Sequence, residues 1–314
     1  MKSLRDTAML ASLTMTIWQG RKLDKKVTDD AIANANAEAD AGRFNKQLLA
    51  KTALAKIRTV VSAGRAQHAY HTAAWQTGAR ILSGKNHAAY TSAMRKIRVA
   101  YWAAVKDFLG EYDSFIAQAK VRLGSMWRAS DYPSANEVAR YFTFDVEISP
   151  LSESSDFRIP DMARGEQDKA RMDIAARAEK RLRDSTADVW QRVLTRVIHL
   201  GERCTIYDPA RAKVAPFRDS AVDGLYAQAE MIPVLNIAGS AALDDVRAAV
   251  VNDLCKYTPQ ELRDDSALRA DIAAKAKALA ERMAGGAGAG LAPVKSASAA
   301  TAAANMAAFV GGAP

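Results

Sequence analysis

The chain has 314 residues, of which 49% are hydrophobic and 7% aromatic, a composition typical of a globular protein with a packed core. Its formal net charge of +9 favours polyanions, such as nucleic acid or anionic lipid, as partners but does not indicate a fold. No apolar run approaches the roughly 18 residues that a membrane span needs, so we expect no membrane-spanning segment.

The two cysteines and the N-terminus indicate where the protein resides. Cys204 and Cys255 have no metal-type spacing, so we expect reduced thiols in the cytoplasm that act as small apolar side chains. Lys2 and Arg5 precede an apolar run, as in a signal peptide, but no clear small-x-small cleavage site follows. We therefore expect this segment to belong to the mature protein.

Two segments have strand periodicity. Leu13, Met15 and Ile17 alternate with threonines, which predicts a strand at about 11–18. The same alternation recurs in FTFDVEIS and predicts a strand at about 142–149. Two isolated strands are marginal unless they pair and rest on helices, so we predict that these two form a small antiparallel sheet.

The sequence between these strands reads as helical. One helix is predicted at about 42–72, with a break near Gly78 and Gly84, and a second from about Asn86 to Leu123. A short helix at about 134–141 follows. The second helix has one narrow apolar stripe, typical of a coiled-coil-like seam. The stripe consists of Tyr90, Met94, Ile97, Tyr101, Phe108, Tyr112, Phe115 and Ala119.

The second half of the chain also reads as helical. The polar, proline-containing segment at 151–162 is a loop or domain junction. Helices are predicted at about 163–203, 217–231, 240–256 and 265–284, and residues 285–314 form a low-complexity Ala/Gly/Ser tail that we expect to be flexible. The predicted class is a mainly α, α+β protein. It has a basic helical region at 1–150 with the two-stranded sheet, and a helical region at 151–284 that either stands apart or packs with the first.

The distribution of charge along the chain is uneven. Residues 41–106, here called the basic block, contain twelve Lys and Arg residues but no Asp or Glu, although about seven acids would be expected at the chain's average frequency. On one predicted helix, Lys51, Arg58 and Arg65 recur every seven residues and form a stripe. On the next, Arg95, Arg98, Trp102 and Lys106 cluster away from the apolar seam. Cations that hold phosphates beside a tryptophan that stacks on a base are typical of nucleic-acid binding.

Two alternatives stay open for these cations. Basic side chains often flank a helix core and bury only their stems, and Trp102 can face a third helix instead. The segment RKLDKK adds Arg21, Lys22, Lys25 and Lys26, which either supplement the phosphate contacts or form a solvated turn.

The sequence shows no chemistry of catalysis or of metal binding. His68 and His71 are spaced for a shared helix face, with His87 nearby, but no carboxylate lies within the block to complete a metal site. We expect these histidines to be surface residues or phosphate contacts. The Walker P-loop, the dinucleotide-binding glycine motif and the nucleophile elbow are all missing. We therefore expect a non-enzymatic protein without catalytic residues, cofactor or metal.

Several short phrases resemble a family of phage and bacterial proteins classed as a domain of unknown function. The phrases are RKLDKKVT (21–28), DAGRFNK (40–46), DYP (131–133), FTFDVE (142–147), FRDSAVDGL (217–225) and LRDDSALR (262–269). The resemblance covers roughly residues 1–283. It implies a gene neighbourhood with AAA ATPases and von Willebrand-A-type proteins, and assigns no site residues.

Together these features predict an accessory protein of phage or prophage DNA metabolism that binds nucleic acid with little sequence preference. The alternative is a structural or adaptor protein, whose basic block docks an acidic partner such as the AAA ATPase or takes part in a homo-oligomer.

Overall fold

The computed structural model describes residues 3–286 and is 67% helical with 11% strand. The predicted class is confirmed: the protein is mainly α, with long helices and a small antiparallel sheet. Of the tail predicted at 285–314, Gly285 and Gly286 end the last helix and the remainder lies outside the described residues. None of the helices within 3–286 combines the length and the apolar character needed to cross a membrane.

The elements follow one another in chain order. The strands are β1 (Ala8–Thr16), β2 (Arg21–Leu23), β3 (Asn45–Gln47), β4 (Ala73–Gln76), β5 (Ala79–Ser83) and β6 (Thr143–Pro150). The α-helices are α1 (Lys25–Asn34), α2 (Ala55–His71), α3 (His87–Gly110), α4 (Tyr112–Leu123), α5 (Ala135–Ala139), α6 (Arg164–Ile206), α7 (Ser220–Leu235), α8 (Ala241–Ala249), α9 (Pro259–Asp264) and α10 (Ser266–Gly286).

The main sheet has the strand order β4-β5-β1-β6. The pairing of the N-terminal strand with the strand near residue 143 is therefore confirmed. The predicted strand number is wrong, because the hairpin of β4 and β5 adds two strands, and β5 pairs antiparallel with β1. These strands are short, and half of β4 is alanine, which is depleted in strands. Gly78, at φ +82°, occupies the turn between them.

The helix predicted at 42–72 is wrong in its first part. Residues 45–47 form β3, which pairs antiparallel with β2, and the backbone of Ala50 is extended. Residues Lys51–Leu54 then form a 3-10 turn, and α2 begins only at Ala55. The continuous helical pattern was misleading because the pairing with β2 depends on a segment that is distant in sequence.

The helix predicted at 86–123 is divided into α3 and α4 at Gly110 and Glu111. Its apolar stripe is confirmed as a core face. Ile97 and Phe115 are partly buried against this core. The fully buried members of the stripe are Tyr90, Met94, Tyr101, Phe108, Tyr112 and Ala119.

The chain forms two compact units. The first, here called the basic unit, comprises Leu13–His68 and Tyr90–Glu147. Its core joins apolar side chains of β1, α2, α3, α4 and β6. Trp18, which follows β1, completes this core, and its ring packs against Phe108 and Tyr112.

The second, here called the long-helix unit, comprises, within the described residues, 3–12, 69–89 and 148–286. Its core lies along the 43-residue α6, against which α7, α10 and β4 pack. The indole nitrogen of Trp190 donates to the carbonyl of Met283 at 3.2 Å, so α10 is held on α6 by a buried hydrogen bond. The helices predicted in this half correspond to α6, α7, α8 and α10, and the short α9 was not predicted. The division into sequence domains at residue 150 stays a prediction.

Candidate nucleic-acid interface

Helices α2 and α3 pack side by side in the basic unit and run in opposite directions. Contacts between them join Lys56 to Asp107, Gly64 to Ile97 and His68 to Tyr90. Because the residue number rises on α2 while it falls on α3, the helices are antiparallel. The approach at Gly64 is close: a Cβ there would lie 2.9 Å from Ile97 and 2.7 Å from Met15.

Four predicted residues lie together on one side of α3. Counted at about 100° per residue from the buried Tyr90–Phe108 line, they occupy the arc from about 80° to 160°. Asp107, which faces Lys56 on α2, lies about 100° to the opposite side. All four side chains are exposed and therefore form an outer surface, which we call the α3 flank. The α3 flank consists of Arg95, Arg98, Trp102 and Lys106.

Trp102 is an exposed aromatic residue whose ring packs against a buried neighbour. Its side chain is 40% exposed, and its ring packs edge-on against Tyr101, with the centroids 5.1 Å apart. Tyr101 is fully buried and donates a hydrogen bond to the carbonyl of Thr16, and its burial raises its pKa to about 12. Trp102 therefore does not turn into the core, and the prediction that it faces away from the seam is confirmed. The exposed part of the indole is free to stack on a base.

The cations of the α3 flank span a length suited to a short stretch of polyanion. Arg95 and Lys106 are eleven positions apart, which corresponds to about 16 Å along a helix. Arg95, Arg98 and Lys106 form no salt bridge within the described part of the chain. Val99, 68% exposed, lies beside them. The flank is therefore cationic, with exposed apolar surface at its edge.

The stripe predicted from Lys51, Arg58 and Arg65 is only partly correct. Lys51 lies in the 3-10 turn before α2, so the seven-residue spacing does not align it with the others. A 3-10 helix has about three residues per turn, and its register does not continue into an α-helix. Arg58 and Arg65 are exposed on one side of α2, and we call this pair the α2 flank.

Helical geometry places the two flanks on different sides of the helix pair. Measured at about 100° per residue from Ile57, the centre of the buried face of α2, Lys56 lies about 100° to one side and Arg58 and Arg65 about 80–100° to the other. Because Lys56 faces α3, the α2 flank faces away from α3, just as the α3 flank faces away from α2. The predicted binding block is thus divided between the outer sides of the helix pair.

The cations near the N-terminus lie on other elements. Arg21 and Lys22 belong to β2, and Lys25 and Lys26 begin α1; all four are exposed. Lys22 forms an ion pair with Asp131 at 3.0 Å, so it is already partly neutralised. These residues stay a separate, predicted addition to the flanks.

Lys46 is a member of the basic block that the sequence did not mark as different. Its side chain is buried, and its Nζ lies 3.1 Å from Asp24 and 2.6 Å from Asp131 and donates to the carbonyl of Met126 at 2.7 Å. Burial alone would lower the pKa of Lys46, but the two carboxylates outweigh it and raise that pKa, while their own pKa values are lowered. Lys46 is therefore structural, and it is unavailable to phosphate.

Arg80 also has a structural partner. In the long-helix unit its guanidinium donates to Asp188 at 2.9 Å and to the hydroxyl of Thr72 at 2.8 Å. Asp188 also accepts from the amide of Ala74 on β4 at 2.8 Å, so the pair secures the hairpin to α6. No local signal in the sequence marks this contact, because its partners are far apart along the chain.

The histidines correct another prediction, since His68 and His71 are buried and not on the surface. His68 Nδ1 lies 2.9 Å from the hydroxyl of Tyr90, and His71 Nδ1 contacts the side chain of Asn86. They face inwards because their face of α2 continues the core line of Ile57 and Gly64. Within residues 3–286, no cluster of three or more His, Cys, Asp or Glu side chains has the arrangement to hold a metal ion.

Comparison of the chain with protein-family models, with curated proteins and with solved structures finds no match in any of the three.

Proposed function

We propose that this is a non-enzymatic, nucleic-acid-binding accessory protein that binds phosphates on the α3 flank. The observation that supports this proposal is that one side of α3 carries both kinds of group that bind nucleic acid. Three cations there are exposed and form no salt bridge within the described part of the chain, and an exposed tryptophan packs against Tyr101. Cations neutralise phosphates and release counterions, and an aromatic face stacks on any base. Both contributions are insensitive to sequence, so the proposed binding is sequence-independent.

The proposal assigns no catalytic residue, cofactor or metal. The resemblance to phage and bacterial proteins supports a role in phage or prophage DNA metabolism within the cytoplasm. An accessory factor of this kind would hold nucleic acid while another protein performs the chemistry.

A gel-shift series with the full chain tests the proposal directly. Single- and double-stranded DNA and RNA are compared at increasing salt concentration. We expect retention at low salt that falls steeply with salt and is weakened in the charge-reversal variant Arg95→Glu/Arg98→Glu. Retention that does not change with salt, or that is as strong in this variant as in the wild-type chain, would contradict the proposal.

A second candidate function is an adaptor that docks an acidic protein surface. The observation favouring it is that Val99 and Trp102 expose apolar surface among the cations, as residues at the centre of a protein interface do. The partner would be an AAA ATPase, a von Willebrand-A-type protein or a second copy of this chain. The same charge-reversal variant would then lose partner capture in a pull-down while the wild-type chain shows no gel shift.

A further inference from the structure

We propose that the α2 flank and the α3 flank are two separate phosphate-binding surfaces, so that one chain holds two segments of nucleic acid at once. This inference rests on the proposed function and extends it from binding to bridging. It follows from the way in which α2 and α3 pack, which the sequence did not reveal.

The flanks face away from each other across the helix pair. Packed helices lie about 8–10 Å apart, and each has a diameter of about 10–12 Å with side chains, so the pair is about 20 Å wide. The Debye length at 0.1 M salt is about 10 Å, so cations on one outer side contribute little to the potential on the other. Each flank therefore attracts a polyanion independently.

The surface between the flanks does not provide a cationic path. On its solvent side the helix pair presents small or uncharged residues, among them Thr59, Ala63 and Ala66 on α2 and Ser92 and Val99 on α3. A phosphate chain that crossed this ridge would find few positive charges.

The two lysines on the side where α2 and α3 face each other do not alter this conclusion. Lys56 lies 3.9 Å from Asp107, whose carboxylate repels phosphate. Lys96 is exposed on the same side of α3 as Asp107 and is a single cation on the ridge. A single strand of nucleic acid that ran across both flanks would have to contact Lys96, whereas strands bound at two separate sites would not. Substitution of Lys96 therefore distinguishes the two arrangements.

The experiment measures stoichiometry and bridging with the full-length chain at low salt. Short oligothymidylate strands, too short to wrap around the helix pair, are labelled with donor or acceptor dyes and mixed in equal amounts. Energy transfer reports two strands on one particle, and titration gives the number of strands per chain. The variants are Arg58→Glu/Arg65→Glu for the α2 flank, Arg95→Glu/Arg98→Glu for the α3 flank and Lys96→Gln for the ridge. Circular dichroism confirms that each variant is folded.

We expect two strands per wild-type chain, one strand per chain in either double variant with loss of energy transfer, and wild-type behaviour for Lys96→Gln. One strand per wild-type chain, with binding weakened by Lys96→Gln, would show a single continuous track and overturn the inference. Wild-type binding in Arg58→Glu/Arg65→Glu together with total loss in Arg95→Glu/Arg98→Glu would also overturn it and leave the proposed function intact. A wild-type chain that retains no strand would overturn both.

Discussion

Neutralising the arginines of the α3 flank should change how binding depends on salt. The perturbation is Arg95→Gln/Arg98→Gln, which removes two positive charges and retains long polar side chains. It is introduced into a chain that also carries Arg58→Glu and Arg65→Glu, so that of the two flanks only the α3 flank binds the strand. All four side chains are exposed, so the fold should tolerate these changes.

The expected magnitude follows from the number of exposed cations. Each neutralised phosphate of a single strand contributes a slope of about −0.7 to log K against log salt, so three cations give a slope of about −2. Between about 50 and 200 mM salt the affinity should then fall by roughly 18-fold. With Lys106 alone remaining, the slope should be about −0.7 and the fall about 3-fold.

Fluorescence anisotropy of a labelled oligothymidylate across a salt series measures both slopes. The matched control is Arg140→Gln, which removes an exposed cation of the basic unit that lies at the end of α5, outside both helices. The control should leave the slope unchanged. A slope that is the same before and after neutralisation, or that changes equally in the control, would refute the assignment of these arginines to phosphate.

Three further predictions concern stacking, the buried ion pairs and pH. Trp102→Ala should weaken oligothymidylate binding by about 1–3 kcal/mol without changing the salt slope, as measured by the same anisotropy titration; loss of slope would contradict a stacking role. Lys46→Met leaves the buried Asp24 without its ion-pair partner and Asp131 with Lys22 alone, and should lower the free energy of unfolding in urea by roughly 3–5 kcal/mol, whereas the exposed Lys25→Met should change it little. Burial lowers the pKa of His71, so the unfolded chain binds its proton more readily and the stability should fall as the pH drops below about 6.5. His71→Gln should reduce this loss in urea unfolding across that pH range, and an unchanged pH dependence would rule out His71 as its source.

Local periodicity was sufficient to predict the core face of α3 and α4. The spacing from Tyr90 to Ala119 repeats within a few residues, and burial of that stripe needs no information from elsewhere in the chain. Alternation likewise identified the strand character of β1 and β6, and the apolar residues near the end of α6 marked its buried half. In each case a single element determines its own apolar face.

Features that depend on distant partners could not be predicted in this way. β4 and β5 are too short to be recognised alone, and they complete a sheet only because β1 lies beside β5. Lys46 looks like every other lysine of the block until Asp24 and Asp131 are brought to it. The separation of the two flanks likewise depends on which side of α2 faces α3.

The lack of acids in residues 41–106 has a partial explanation in the ion pairs. Lys46, Lys56 and Arg80 find their carboxylates outside the run, and the other nine basic residues are exposed and form no salt bridge within the described part of the chain. Folding therefore accounts for three of the twelve charges.

The long helix α6 provides an internal comparison. It has ion pairs between residues four positions apart, Lys180 with Asp184 and Arg183 with Glu179, which stabilise an exposed helix. Along the outer sides of α2 and α3 the chain forgoes this stabilisation. A carboxylate within a few ångströms of Arg58 or Arg98 would compete with phosphate for the guanidinium and repel it. The exclusion of acids therefore gives up a small stabilisation on an ordinary solvated helix surface, whereas it favours binding on a surface that holds a polyanion.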